Sequence, residues 1–226
     1  MSRPEIPLLH RDDHLVVVDK PSGLAVHRGM AQEKIVVLQL VRDLMGRHVY
    51  PVHRLDRATS GALLLALNPE TARRLQEQWE SGGVEKRYLA LVRGIPPEEG
   101  VIDLPVPRSP QGLRVPAVTE FRRLASFERY ALMEARPLTG RLHQIRRHFK
   151  HISHPLIGDV RYGKGEHNRF FRERFVLHRL ALHAVSLEFD HPVTGERVRI
   201  TAPVPEDLAG VLRAMGVRIP GDEART

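Results

Sequence analysis

The longest uninterrupted apolar run in this chain, Ala62 to Leu67, is six residues long. That is far short of the roughly 20 residues a bilayer-crossing helix needs, and it lacks the polar alternation of a half-exposed strand. It reads as a fully buried strand, which needs other elements to cover it. Its flanks agree. Asn68 is placed to cap a helix from Pro69 to Glu80, with proline at the first position and Ser81-Gly82-Gly83 as its end. A short strand, Val49 to His53, precedes it across a polar turn.

Further elements follow from period and punctuation. Leu15 to Asp19 reads as a strand ending at Lys20-Pro21-Ser22-Gly23, and Ile35 to Met45 as an amphipathic helix stopped by Gly46. Lys86 to Val92 is a strand. Gly94 to Pro116 is rich in Pro and Gly and is expected to be a loop or insertion. Val118 to Leu124 and Tyr130 to Arg136 pair as neighbouring strands, and Leu142 to His151 is a basic helix begun by Thr139-Gly140. Leu177 to Phe189 and Arg197 to Thr201 form a hairpin, and Pro205 to Met215 is a closing helix. Strands in pairs with interspersed helices predict an α+β fold with a largely antiparallel sheet. No strong linker divides the 226 residues, so one domain over 1–226 is expected.

The chain has no cysteine. Disulfides, thiolate nucleophiles, Cys-ligated zinc and iron–sulfur clusters are excluded, and zinc base deaminases with them. Covalent chemistry must use oxygen or nitrogen. The first twenty residues lack a signal-peptide core, so a soluble, cytoplasmic protein is expected.

The net charge of +8 is concentrated. Arg136 to Leu182 holds eleven Lys/Arg against three acids, which accounts for the whole excess. Phe149, Tyr162, Phe170, Phe171 and Phe175 are interleaved with those charges. The pattern fits a surface that follows a nucleic-acid backbone; a solvated basic face with its aromatics in the core is the alternative.

The most informative stretch is His53-Arg54-Leu55-Asp56-Arg57-Ala58-Thr59-Ser60-Gly61. An acid between two arginines, in a turn that Thr59, Ser60 and Gly61 can tie together, is expected to stay ionised and to serve as nucleophile or base. The alternative is an Asp that braces a turn through a surface ion pair.

HRLDRATSG resembles the signature of the RluA-type pseudouridine synthases, and other segments resemble that family in the expected order. They are Asp19-Lys20-Pro21-Ser22-Gly23, Lys86-Arg87-Tyr88-Leu89-Ala90, Gly140-Arg141-Leu142-His143-Gln144-Ile145-Arg146-Arg147-His148, His154-Pro155-Leu156-Ile157-Gly158-Asp159 and Leu182-His183-Ala184. Within the family the paired arginines Arg146-Arg147 and the basic segment Gly165 to Glu173 are nearest a branch that acts on tRNA. The chain begins at the catalytic part, so no separate S4-type RNA-binding domain is expected.

The resemblance implies a pseudouridine synthase fold and isomerisation of a uridine in structured RNA, most readily tRNA, by a monomer without a cofactor. It implies that Asp56 is the catalytic acid, that Arg146 pairs with it, and that Tyr88 stacks on the uracil. Leu182 closes the apolar side of the pocket, and Arg54 fills the gap left by the flipped nucleotide. Arg57, Arg141, His143, Arg147, Arg169 and Arg172 are expected to bind the RNA. Ribosomal RNA as substrate and a non-catalytic RNA-binding module are the alternatives. A metal on His143, His148, His151 and His154 is disfavoured because their helix supplies no acid, and Ser60 lacks a nucleophile elbow.

Overall fold

The computed structural model describes residues 5–28, 35–109 and 112–218. In chain order the elements are β1 (Leu8–Arg11), β2 (Leu15–Lys20), α1 (Val37–Met45), β3 (Tyr50–Pro51), β4 (Ser60–Ala66), α2 (Pro69–Glu80), β5 (Glu85–Arg93), β6 (Glu99–Asp103), β7 (Val106–Pro107), β8 (Arg114–Val115), β9 (Val118–Phe127), β10 (Tyr130–Pro137), α3 (Gln144–His151), α4 (Gly165–Phe175), β11 (Leu182–Asp190), β12 (Arg197–Thr201) and α5 (Glu206–Ala214). This is an α+β arrangement dominated by antiparallel pairing. None of its helices, among the described residues, is long and apolar enough to cross a membrane.

The chain divides into two compact units, Met1–Glu85 with Ala184–Ala202, and Lys86–His183 with Pro203–Thr226. In the first, strands run β1-β2-β4-β11, with β3 on β4 and β12 on β11. Every residue of β4 is buried, as its apolar run demands. Asn68 caps α2 by accepting from the Thr71 backbone N–H at 2.9 Å, and Ala72 and Leu75 of that helix pack with Leu15, Leu64, Leu187 and Phe189. The outer face of α2 carries a Glu70, Arg73, Arg74, Glu77 ladder at helical spacing.

In the second unit the order is β5-β10-β9-β6. Gly94 to Pro116, read as a loop, contains three short strands: β6 pairs with β9, and β7 pairs with β8. Pro96, Pro97, Pro105, Pro107 and Pro116 sit at ends and edges of these strands, where a missing N–H costs no ladder bond. The expected helix from Leu142 begins two residues later. His143 takes a left-handed conformation (φ 53°), and Gln144 holds the preceding turn: its Oε1 accepts from Thr139 Oγ1 (2.7 Å) and Arg141 N (3.0 Å). The strand expected from Leu177 starts only at Leu182, because Leu177 N and Ala181 N donate to Phe171 and Ile157 carbonyls outside any sheet.

Candidate active site

Asp56 lies in a half-buried turn of the first unit that is fastened from several directions. At its entrance the His53 ring accepts from Leu64 N (2.9 Å) and stacks on Trp79 at 4.3 Å between centroids. Leu55 is buried, and Thr59 N donates to the Asp56 carbonyl at 3.0 Å. Thr59, Ser60 and Gly61 are expected to tie this turn, and the segment from Lys20 at the end of β2 to Gly23 ties it as well. Gly23 N and the Lys20 ammonium both donate to the Arg57 carbonyl (2.8 and 3.2 Å). Ser22 Oγ donates to the Ala58 carbonyl at 2.8 Å, and Arg57 Nε returns a bond to the Gly23 carbonyl at 2.9 Å. Lys20 is fully buried and also donates to the Pro21 and Leu24 carbonyls, so each of its three protons has an oxygen to meet. These bonds fix the backbone from which the Asp56 carboxylate projects.

In the second unit α3 buries Gln144, Ile145, Arg146, His148 and Phe149. The Arg146 guanidinium meets Asp159 side-on, Nε to Oδ2 at 2.7 Å and Nη2 to Oδ1 at 2.9 Å. Burial would push the Asp159 carboxyl up, but Arg146 and the backbone N–H groups of Tyr162 and Arg161 outweigh it and hold it below the ordinary carboxylate value. Tyr162 stands beside this pair. Its hydroxyl bonds to His143 Nδ1 and Arg147 Nε, each at 3.0 Å, and the guanidinium carbons of Arg146, Arg147 and Arg161 lie 5.1, 5.8 and 5.6 Å from its ring centre.

Against these elements stand the known proteins the chain resembles. The RNA pseudouridylate synthase family model matches residues 14–151. The chain is 44% identical to tRNA pseudouridine synthase C of Pectobacterium carotovorum subsp. carotovorum over 93% of its length, spanning 62% of that relative. It is 42% identical to the Salmonella typhi protein of the same name, over 94% of this chain and 91% of that one. Among solved structures, Human RNA Pseudouridylate Synthase Domain Containing 4 superposes with a TM-score of 0.79 at 27% identity, covering 95% of both chains. The chain belongs to the RNA pseudouridylate synthase family.

Within this pseudouridylate synthase the residues singled out by sequence fall into distinct settings. Arg54 and Arg57 are exposed on either side of Asp56 in the first unit. Tyr88, half-buried on β5 opposite Ala135, and buried Leu182 at the start of β11 belong to the second unit with Arg146. Arg141 and Arg147 hold the two legs of the β7–β8 hairpin, through Pro116 O (3.2 Å) and Pro107 O (3.0 Å). Arg169 and Arg172 are exposed on α4. The same helix turns Phe171 inward, where it meets Tyr130 edge-on at 4.8 Å, so Phe171 serves the core while the arginines face solvent. Sequence reasoning placed Lys20 and Asp159 in motifs but gave them no role, and it gave Tyr162 none beyond the basic stretch. For Asp159 a signal existed, since it is one of only three acids among eleven basic residues.

Proposed function

We propose that this chain converts a uridine of structured RNA, in the first place tRNA, to pseudouridine, with Asp56 as the catalytic carboxylate. The observation that carries the reading is the fastening of the Asp56 turn by Lys20, Ser22 and Gly23. That is the preorganisation a carboxylate needs to meet a sugar carbon in one geometry. The two relatives named above, both tRNA pseudouridine synthase C, support tRNA as the substrate.

The reaction is an isomerisation. The bond between N1 of uracil and the sugar breaks, the base rotates, and C5 bonds to the sugar. The C5 proton leaves and N1 takes one up, so no oxidant, reductant or co-substrate enters the balance. Asp56 acts at the sugar or the base as the acid–base or nucleophilic group. Tyr88 stacks on the uracil and Leu182 shields its apolar side. Arg146 orients the carboxylate, and Arg54 occupies the gap left by the flipped nucleotide, offsetting a few kcal/mol of lost stacking.

The test is tritium release from 5-tritiated uridine in unmodified tRNA. Wild type should release tritium, and Asp56→Asn should release none while still binding the RNA. A wild-type protein inactive on both tRNA and ribosomal RNA would refute the reading.

A further inference from the structure

We propose that Tyr162 organises a binding site for a backbone phosphate of the RNA, formed by Arg147 and Arg161. The proposal rests on RNA being the substrate, and it adds a site to that reading. Three guanidinium groups lie within 6.0 Å of one phenol ring, yet their charge is unequally compensated. Arg146 is neutralised by the buried Asp159 carboxylate. Arg147 spends its bonds on uncharged acceptors, the Tyr162 hydroxyl and the Pro107 carbonyl. Arg161 is exposed, and among the described residues it has no carboxylate within ion-pair distance. Two positive charges therefore remain beside one half-buried aromatic ring. Guanidinium groups held by a ring face and a hydroxyl keep their forks oriented, as bidentate recognition of phosphate oxygens needs.

A hydrogen-bond chain ties Tyr162 to the start of α3. Arg147 Nε donates to the Tyr162 oxygen, and the Tyr162 hydroxyl shares a hydrogen bond with His143 Nδ1 at 3.0 Å. The left-handed backbone at His143 (φ 53°) sets that ring at the start of α3, beside Tyr162. The turn that supplies Arg161 and Tyr162 is fixed in turn, because Asp159 Oδ1 accepts both of their backbone N–H groups (2.9 and 3.0 Å).

The test measures affinity for a fluorescently labelled, unmodified tRNA transcript over a salt series, beside pseudouridine formation by wild type on the same transcript. Arg161→Gln should reduce the slope of log affinity against log salt by about 0.9, the release expected for one phosphate contact. Tyr162→Phe, which changes no charge, should also weaken binding. Arg213→Gln on α5, an exposed arginine paired with Glu206, removes the same charge and should leave the slope unaltered. If wild type isomerises the RNA but Arg161→Gln and Tyr162→Phe both match the Arg213→Gln control, the phosphate site is overturned and the enzymatic reading stands. If wild type binds RNA without forming pseudouridine while Arg161→Gln and Tyr162→Phe behave as expected, the phosphate site stands and the enzymatic reading fails.

Discussion

Asp159 holds Arg146 side-on, with both carboxylate oxygens engaged at 2.7 and 2.9 Å and the carboxylate itself fully buried. The same Oδ1 that meets Nη2 also accepts the Arg161 and Tyr162 N–H groups. One buried acid thus fixes both the orientation of a helix arginine and the path of the following turn. The Asn168 side chain completes the frame, accepting from Gly158 N at 2.8 Å and donating to the Asp159 carbonyl at 3.0 Å.

Asp159→Asn should therefore be costly in two ways. Removing one partner of a buried ion pair leaves the other charge uncompensated, an effect of about 3–5 kcal/mol. Urea denaturation should report a loss in that range. Because Arg146 loses its orientation, kcat should also drop, by about 100-fold if the guanidinium moves by an ångström. Asp159→Glu should restore part of the stability. A kcat loss no larger than the unfolded fraction explains would make Asp159 purely structural.

Lys20→Met tests the fastening of the Asp56 turn. The substitution keeps an unbranched chain in the buried site but removes an ammonium that donates to three carbonyls. Leaving those oxygens without a donor should cost about 3 kcal/mol, read as a lower Tm. Turnover should fall with the loosened Asp56 turn, while RNA affinity holds. Unchanged turnover in the folded variant would show that the turn keeps its geometry without Lys20.

Gly61 ends the same turn at φ 112°, and a Cβ there would collide with the backbone carbonyl of Ala184 on the neighbouring strand β11. Gly61→Ala should lose about 1–3 kcal/mol from the backbone conformation alone, and more from the collision. Differential scanning calorimetry that found a wild-type Tm would mean that β4 and β11 can separate at that point.

How far the fold was legible follows from these residues. The apolar run at 62–67 and the Asn68-Pro69 start of α2 carry local signals strong enough to identify on sight, and both elements form there. Gln144 was different. Its pattern continues the helix backwards to Leu142, but its side chain bonds to Thr139, Arg141, Val118 and Thr119, contacts between segments that no helical period encodes. The interleaving of aromatics with charge on α4 fits a nucleic-acid surface and a core-facing stripe equally well, and packing against Tyr130 places Phe171 in the core. The Asp56 turn was visible as a motif, but its attachment to residues 20–23 joins positions more than thirty apart. The pairing of Arg146 with Asp159 was hidden for a related reason: among eleven basic residues, charge alone does not say which arginine an acid will meet.

Stability should fall as the solution becomes mildly acidic, and His148 gives the sign. Its ring is fully buried, with Nδ1 2.9 Å from Thr119 Oγ1 and Nε2 3.0 Å from the Leu104 carbonyl. The Leu104 carbonyl can only accept, so the neutral ring keeps its proton on Nε2 and its Nδ1 accepts from the Thr119 hydroxyl. Burial, only partly opposed by the Leu104 carbonyl, holds the His148 pKa below its ordinary value of 6.5. Burial followed by the nearby Arg129 and Arg93 does the same for His167. The unfolded chain therefore binds more protons than the fold just below pH 6.5, so stability rises with pH in that window and falls as pH drops through it. Asp159 and Asp12, both held below 3.8, lose their stabilising contribution only at lower pH. Urea midpoints should be level above pH 7.5 and decline from about pH 6.5 downward, by at most about 1.4 kcal/mol per pH unit for each histidine. His148→Gln should flatten part of that decline, with His167 accounting for the remainder. A wild-type midpoint that stays constant from pH 7.5 to 5.5 would mean that both rings protonate within the fold as easily as in the unfolded chain.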